Sequence, residues 1–291
     1  MAVDQAFYNS LDTQALVRVA EDTVHARQTL VDQVQALVAA KLKSEIDLSF
    51  SKVELDRAKL LLLEARNNYQ AALAGLSSVL GYPTEQNFQL VEETGALTPP
   101  AADVQPLIQQ ALEQRPEIKA LQFEPSSAEK LGRAEHDLWM PSVNALGVAG
   151  DTPVRDNHIT PNCYGAVGVN VNIPVFNGFL YNARAKAADL QTEADRQRLR
   201  DLQDRISRDV RVSWQDINRA YERLSVTQQL REQAALALDL AQGRYNVGLA
   251  SIVELTQAEL QKTEADIADA DATYQYRLTQ LVLAFTIAAP R

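Results

Sequence analysis

The chain has one cysteine (Cys163), only 6% aromatic residues and no surplus of basic charge. A single cysteine excludes an intrachain disulfide and a multi-cysteine metal centre. Lys and Arg total 28 against 38 Asp and Glu, giving a net charge of −10. The basic footprint of a nucleic-acid binder is missing, and the arginines alternate with acids along helical stretches. No apolar run approaches the roughly 18 residues of a spanning helix, so any membrane crossing must use strands. His25, His136 and His158 are scattered, without HExxH or related ligand spacing, and no glycine-rich phosphate loop is present. Cys163 lies near His158 without forming a catalytic constellation. An enzyme would need clustered polar groups that this sequence does not offer, and nothing in it asks for a cofactor. The start, Met1 to Gln5, lacks the charged and apolar regions of an export signal.

What the chain does contain is a long internal repeat. Gln35, Leu42, Ser44, Leu48, Ala58, Ala65 and Tyr69 recur at a constant offset as Gln242, Leu249, Ser251, Leu255, Ala265, Ala272 and Tyr276. Ile46 faces Val253 and Asp47 faces Glu254 in the same register. Without an export signal, either the protein is cytosolic or its natural start lies upstream of Met1; because the first copy opens abruptly, the latter is expected.

Periodicity predicts helices over about 5–40, from about 45 to 80, over about 103–114 and 116–138, and over about 182–244 and 252–288. The first carries Val17, Val24, Val31 and Val38 every seven residues, with Leu30 and Val34 beside them. Ser44 suits an N-cap, and Gly81-Tyr82-Pro83 a helix stop. Thr84 to Pro106 reads as a loop-rich excursion. Pro116 suits a first helical turn, while Pro125 marks a break or kink. In the long helix, Leu199, Leu202, Ile206, Val210, Ile217 and Leu224 form an apolar stripe.

Between the helices the texture changes. Residues 142–150 and 164–175 read as strands flanking a polar turn over 151–162. Val167, Val169, Val171, Ile173 and Val175 point one way; Ala166, Gly168, Asn170 and Asn172 point the other. Each strand has about the 9–11 residues that a tilted membrane strand needs. Gly147, Gly150, Gly165 and Gly168 fall within this strand-like sequence.

The last helix has two stripes. Val253, Leu260, Ile267, Tyr274 and Leu281 repeat every seven residues, and so do Ala258, Ala265 and Ala272, about 140° away. The first copy matches it, with Ile46, Val53 and Leu60 against Ser51, Ala58, Ala65 and Ala72. Two readings are open: separate seams to neighbours on both sides, as in a wall of helices, or one broad face in an ordinary bundle.

Tyr245 through Val247-Gly248-Leu249-Ala250-Ser251 to Leu260 resembles a helix-turn-helix motif of the TolC-like outer-membrane efflux proteins. So does Leu138 to Val143 as a helix-to-strand passage, Ile173 to Gly178 as a strand-to-helix exit, and Glu113 to Ala120 as an inter-repeat helix. The resemblance covers essentially the whole chain. It implies a mainly α fold with a small β element: long antiparallel coiled-coil helices of a trimeric α-barrel, plus a β-hairpin contributing to a membrane β-barrel. The organisation expected is a first, incomplete helical-hairpin repeat (1–81), an inter-repeat segment (82–126) and a second repeat (127–291) with its hairpin at about 141–176. Family members usually carry two strands in each repeat, whereas this chain supplies two in all.

The implied function is passive export through the outer membrane and periplasm of a Gram-negative bacterium. A homotrimer would dock on a periplasmic adaptor, itself joined to an inner-membrane pump. Leu42, Lys43, Ser44, Val247, Gly248, Leu249, Ala250 and Ser251 would form the adaptor-contacting tip. Glu254, Gln257, Asp47 and Tyr245 would form a gate, with a phenol-to-carboxylate hydrogen bond from Tyr245 to Asp47. Gln257 stands where a second acid is frequent, and Ala250 where some members carry Arg. Trp139, Phe176, Phe179 and Tyr181 would form an aromatic girdle, and Val167, Val169, Val171, Ile173 and Val175 would meet outer-membrane lipid. The alternatives from the residues alone are a plain helix connection at the tip, a solvated first-turn acid at Glu254 favoured by the helix N-terminus, and a soluble hairpin packed on helices with those aromatics as core. In that case the chain is a soluble coiled-coil scaffold without a pore.

Overall fold

The computed structural model describes the chain apart from residues 85, 87, 93, 94, 96, 152–162 and 289–291. The expected polar turn at 152–162, His158 included, lies outside the described residues. Two compact units are formed, one of Met1–Ala111 with Ser207–Arg291, the other of Leu112–Ile206.

The first unit holds helices α1 (Ala2–Ala39) and α2 (Glu45–Val79), most of α3 (Gln105–Gln114), the later part of α6 (Leu180–Asn246), and α7 (Ile252–Thr286). Three helix exits in this unit share one geometry. The N–H groups of Leu42, Tyr82 and Leu249 reach back five residues, to the carbonyls of Leu37, Ser77 and Arg244. Each exit needs a left-handed residue just before that donor. Gly81 (φ 82°) and Gly248 (φ 79°) fill two of them, and Lys41 (φ 61°) fills the third. Ser44 and Ser251 restart the chain as N-caps, their hydroxyls accepting the N–H groups of Ile46 and Glu254.

The small-residue stripes are the seams inside the chain. Ser51, Ala58, Ala65 and Ala72 of α2 are buried, as are Ala258, Ala265 and Ala272 of α7. Their short side chains let backbones approach. The aliphatic stripe lies outside this core. Ile46, Val53 and Leu60 are 60%, 50% and 65% exposed, and Val253 and Leu260 are exposed as well. The two stripes therefore do not merge into one broad buried face. In α1 only Val31 of the valine heptads is buried, with Leu11, Ala15, Ala20, Leu30 and Val34 supplying the rest of its core side. The stripe of α6 faces inward, with Ile206, Val210 and Ile217 fully buried.

The excursion between the repeats is tied down by single hydrogen bonds rather than by an element of its own. Trp214 Nε1 donates to the Ala101 carbonyl at 2.8 Å, and Tyr276 donates to that of Thr98. Glu92 accepts from Tyr274 at 2.8 Å and pairs with Arg18. Burial, and then the hydrogen bond to Glu92, push the Tyr274 phenol up to about 12.

The second unit holds α4 (Pro116–Leu121), α5 (Phe123–His136), a single 3₁₀ turn (Asp137–Trp139), strands β1 (Ser142–Asp151) and β2 (Cys163–Asn172), and the first part of α6. Pro116 opens α4 as expected, and the helix breaks at Gln122, one turn before Pro125, whose ring and missing N–H disfavour continuing past the Leu121 carbonyl. Pro125 lies within the first turn of α5, where its missing N–H would have no helical partner. His136 Nε2 lies 3.2 Å from Asp189, and Arg196 lies 3.7 Å from Glu129, so α5 runs against the start of α6.

Candidate functional site

The sequence motifs come together at two places, one in each unit. In the first unit the α1–α2 and α6–α7 turns meet. Above them a core of Leu30, Val34, Ala241, Tyr245, Ile252, Leu255 and Ala258 closes the helix ends, with Val38, Leu48 and Ala250 packed against it. Beyond it, Leu42, Val247 and Leu249 stand exposed by about 70% or more. The two adjoining turns thus present three large apolar side chains to solvent.

Lys43 joins the turns. Its Nζ lies 3.9 Å from the centroid of the Tyr245 ring and donates to the Tyr245 carbonyl at 3.4 Å. The expected hydrogen bond from Tyr245 to Asp47 is not made. The Tyr245 hydroxyl is buried without a hydrogen-bond partner among the described residues. Asp47 instead accepts the Ser44 N–H at 3.4 Å, completing the capping box that starts α2. Burial raises the Tyr245 pKa, and the nearby Asp47 charge adds to the effect. The local demand of the helix start thus takes the carboxylate that the phenol would have used.

Glu254 and Gln257 are exposed on one face of α7, a turn apart. Glu254 is not alone: Arg244 Nε lies 3.3 Å from its carboxylate, and Arg244 Nη2 donates to the Leu249 carbonyl at 3.4 Å. Sequence reasoning missed Arg244. The signal was available, since Arg244 and Glu254 each lie five positions from Leu249 at the centre of the turn.

Two charged features farther from the turns were also missed. Arg27 of α1 and Glu259 of α7 form an ion pair with side chains only 5% and 10% exposed. Burial lowers the Arg27 pKa, and Glu54 of α2 partly restores it. Nearby, a cleft of about 830 Å³ is lined by Arg18, Arg27, Glu92, Arg231, Glu259 and Tyr274, among others. Several of its charges pair with one another: Arg18 with Glu92, and Arg231 with Asp266 (3.2 Å) and Asp269 (3.1 Å). Among the described residues no cluster of three or more His, Cys, Asp or Glu side chains is placed to hold a metal ion.

In the second unit β1 and β2 pair antiparallel, Ser142 opposite Asn172 through to Asp151 opposite Cys163. Val167, Val169 and Val171 lie across from Gly147, Ala145 and Val143 on one face. No described residue of either strand is buried, and Val167 is 89% exposed. The reading of a hairpin packed on helices is therefore overturned. Ile173 and Val175, expected on the strand, lie beyond it. Pairing ends at Asn172, and Pro174 between them has no N–H to extend a ladder. The four aromatics gather near the end where Ser142 pairs with Asn172. Trp139 meets Tyr181 edge-on at 5.6 Å, and Phe176 meets Phe179 at 5.9 Å.

A sequence model of the family described as "Outer membrane efflux protein" matches residues 107–288. Outer membrane protein TolC of Salmonella enteritidis is 21% identical over 96% of this chain and 58% of its own length. The cobalt-zinc-cadmium resistance protein CzcC of Cupriavidus metallidurans is 27% identical over 66% of this chain and 45% of its own. Among solved structures, the outer-membrane channel OprN superposes with a TM-score of 0.80 at 19% identity, over 99% of this chain and 65% of that one. The outer membrane protein VceC of Vibrio cholerae gives 0.76 at 17% identity, over 98% and 68%. The chain spans little more than half the length of the curated TolC relatives, and the structural likeness establishes the fold.

Proposed function

The chain belongs to the outer membrane efflux protein family, and from that premise we propose that it is a subunit of an outer-membrane channel in a tripartite efflux or type I secretion system. It acts as a passive conduit and not as an enzyme, and it works in the outer membrane and periplasm of a Gram-negative bacterium. Three copies assemble. The first repeat (1–81) and the second repeat (127–291), joined by 82–126, supply helices to a periplasmic α-barrel, and β1 and β2 contribute strands to a β-barrel.

One observation carries this reading: a hairpin of ten-residue strands with no buried side chain, bordered at one end by two aromatic pairs. A lipid face of Val167, Val169 and Val171 opposite a wetter face with Asn170 and Asn172 suits a barrel wall. Trp139, Phe176, Phe179 and Tyr181 suit the membrane–water boundary. Leu42, Lys43, Ser44 and Val247 to Ser251 form the tip that meets the helical hairpins of a periplasmic adaptor, which links the channel indirectly to an inner-membrane pump. Glu254 and Gln257 line the narrow point near that tip, with Asp47 and Tyr245 behind them.

The test is purification and planar-bilayer recording. A detergent-solubilised trimer with single-channel conductance supports the proposal. A monodisperse, detergent-independent oligomer without conductance rejects it in favour of a soluble scaffold. For the tip, Gly248→Glu and Leu249→Lys should weaken capture of the purified adaptor about tenfold, as expected when charge is forced into an apolar contact; unaltered capture counts against the tip assignment.

A further inference from the structure

Glu254 would give the tip a fixed negative charge if it stood free. Instead the guanidinium of Arg244 spans the α6–α7 turn, anchored at 3.3 Å on the Glu254 carboxylate and at 3.4 Å on the Leu249 carbonyl. The left-handed Gly248 brings the two helix ends close enough for this bridge. We propose that Arg244 is the counterion that cancels Glu254 and thereby sets which ions pass the tip. The inference rests on the reading of the tip as the narrow point of a conduit.

The neighbouring charges leave this pairing intact. Of the two lysines in the α1–α2 turn, Lys43 is held against Tyr245 and Lys41 is exposed at the left-handed exit, and Asp47 is engaged by the Ser44 N–H. Gln257 adds no charge on the following turn of the same α7 face. Both members of the pair are about half exposed, so it contributes little to stability. Its effect is on the field. A lone carboxylate ring attracts cations, whereas an acid with a cation at contact distance presents a dipole whose influence falls off more steeply. Three copies would then place three paired, near-neutral sites around the passage.

The experiment measures reversal potentials of the full chain in planar bilayers under a KCl gradient. Arg244→Gln should raise the potassium-over-chloride permeability ratio roughly twofold, Glu254→Gln should lower it, and the double variant should return close to the parent. A ratio unmoved by Arg244→Gln but shifted by Glu254→Gln overturns the counterion role. Hydrogen exchange at the amides of residues 247–251 provides a readout that needs no conduction. Each single variant should speed exchange roughly twofold, the size an exposed pair contributes, and the double variant no further. Additive effects overturn the pairing. Coupled exchange with selectivity unmoved in both single variants overturns the placement of the narrow point at the tip, and the selectivity role with it.

Discussion

At the residue scale, the most enclosed ion pair among the described residues is Arg27–Glu259, between α1 and α7. A buried pair is costly to assemble and costlier to break, because the survivor is left charged and dry. Glu259→Leu should therefore destabilise the fold by about 3 kcal/mol, read from the midpoint of denaturant unfolding. Arg27→Met with Glu259→Leu should recover most of that loss; failure to recover would mean that packing, not charge, dominates the site. Asp12 offers a second test. Burial, reinforced by the neighbouring Asp271, raises its carboxyl from 3.8 to about 6. Asp271 is itself raised by burial, with Arg223 opposing. A raised folded-state value means that the group favours the fold at low pH, and that this contribution disappears as pH climbs from about 4 through 6. Asp12→Asn should flatten that decline and stabilise the protein at neutral pH by about 1 kcal/mol, the full shift being discounted because the carboxyl is partly solvated.

At the element scale, the two repeats differ most plainly at their turns. Lys41 and Gly248 occupy equivalent positions at the same left-handed helix exit. A side chain there costs about 1 kcal/mol, so Lys41→Gly should raise stability by about that much in thermal or denaturant unfolding, and no gain would show that Lys41 makes contacts that offset the strain. Helices, strands and caps were legible in the sequence because each has a local cause: seven-residue stripes, period-two alternation, and serines after the turns. The strand end was less legible, since the alternation runs past Asn172 to Val175, and only Pro141 and Pro174 signal that pairing has stopped. The site was legible in part. The breaks in periodicity and the capping serines located the turns, but they could not show that Asp47 would serve its own helix start and leave the Tyr245 hydroxyl unbonded. Nor could they show Arg244 reaching Glu254, because that contact depends on how the turn reverses the chain.

At the scale of the whole molecule, the feature to explain is the aliphatic stripe that the chain does not cover. Ile46, Val53 and Leu60 stay in water on α2 although the matching alanines are sealed. Covering Val53 and Leu60 in an assembly is worth on the order of 3 kcal/mol per copy. Val53→Glu with Leu60→Glu should thus weaken self-association about a hundredfold while leaving helix content unchanged, as measured by sedimentation and circular dichroism. Association that survives both substitutions would move the subunit contact to another face.

The ribbon formed by β1 and β2 has one further consequence. It is two-stranded, so each outer rim carries a row of amide hydrogens and carbonyl oxygens without a neighbour among the described residues. Water satisfies them at little cost, but hydrocarbon would charge several kcal/mol for each one stranded. A lone copy therefore could not slip its ribbon into a bilayer and wait for company. Entry into lipid and joining with sister ribbons would have to occur as one concerted event.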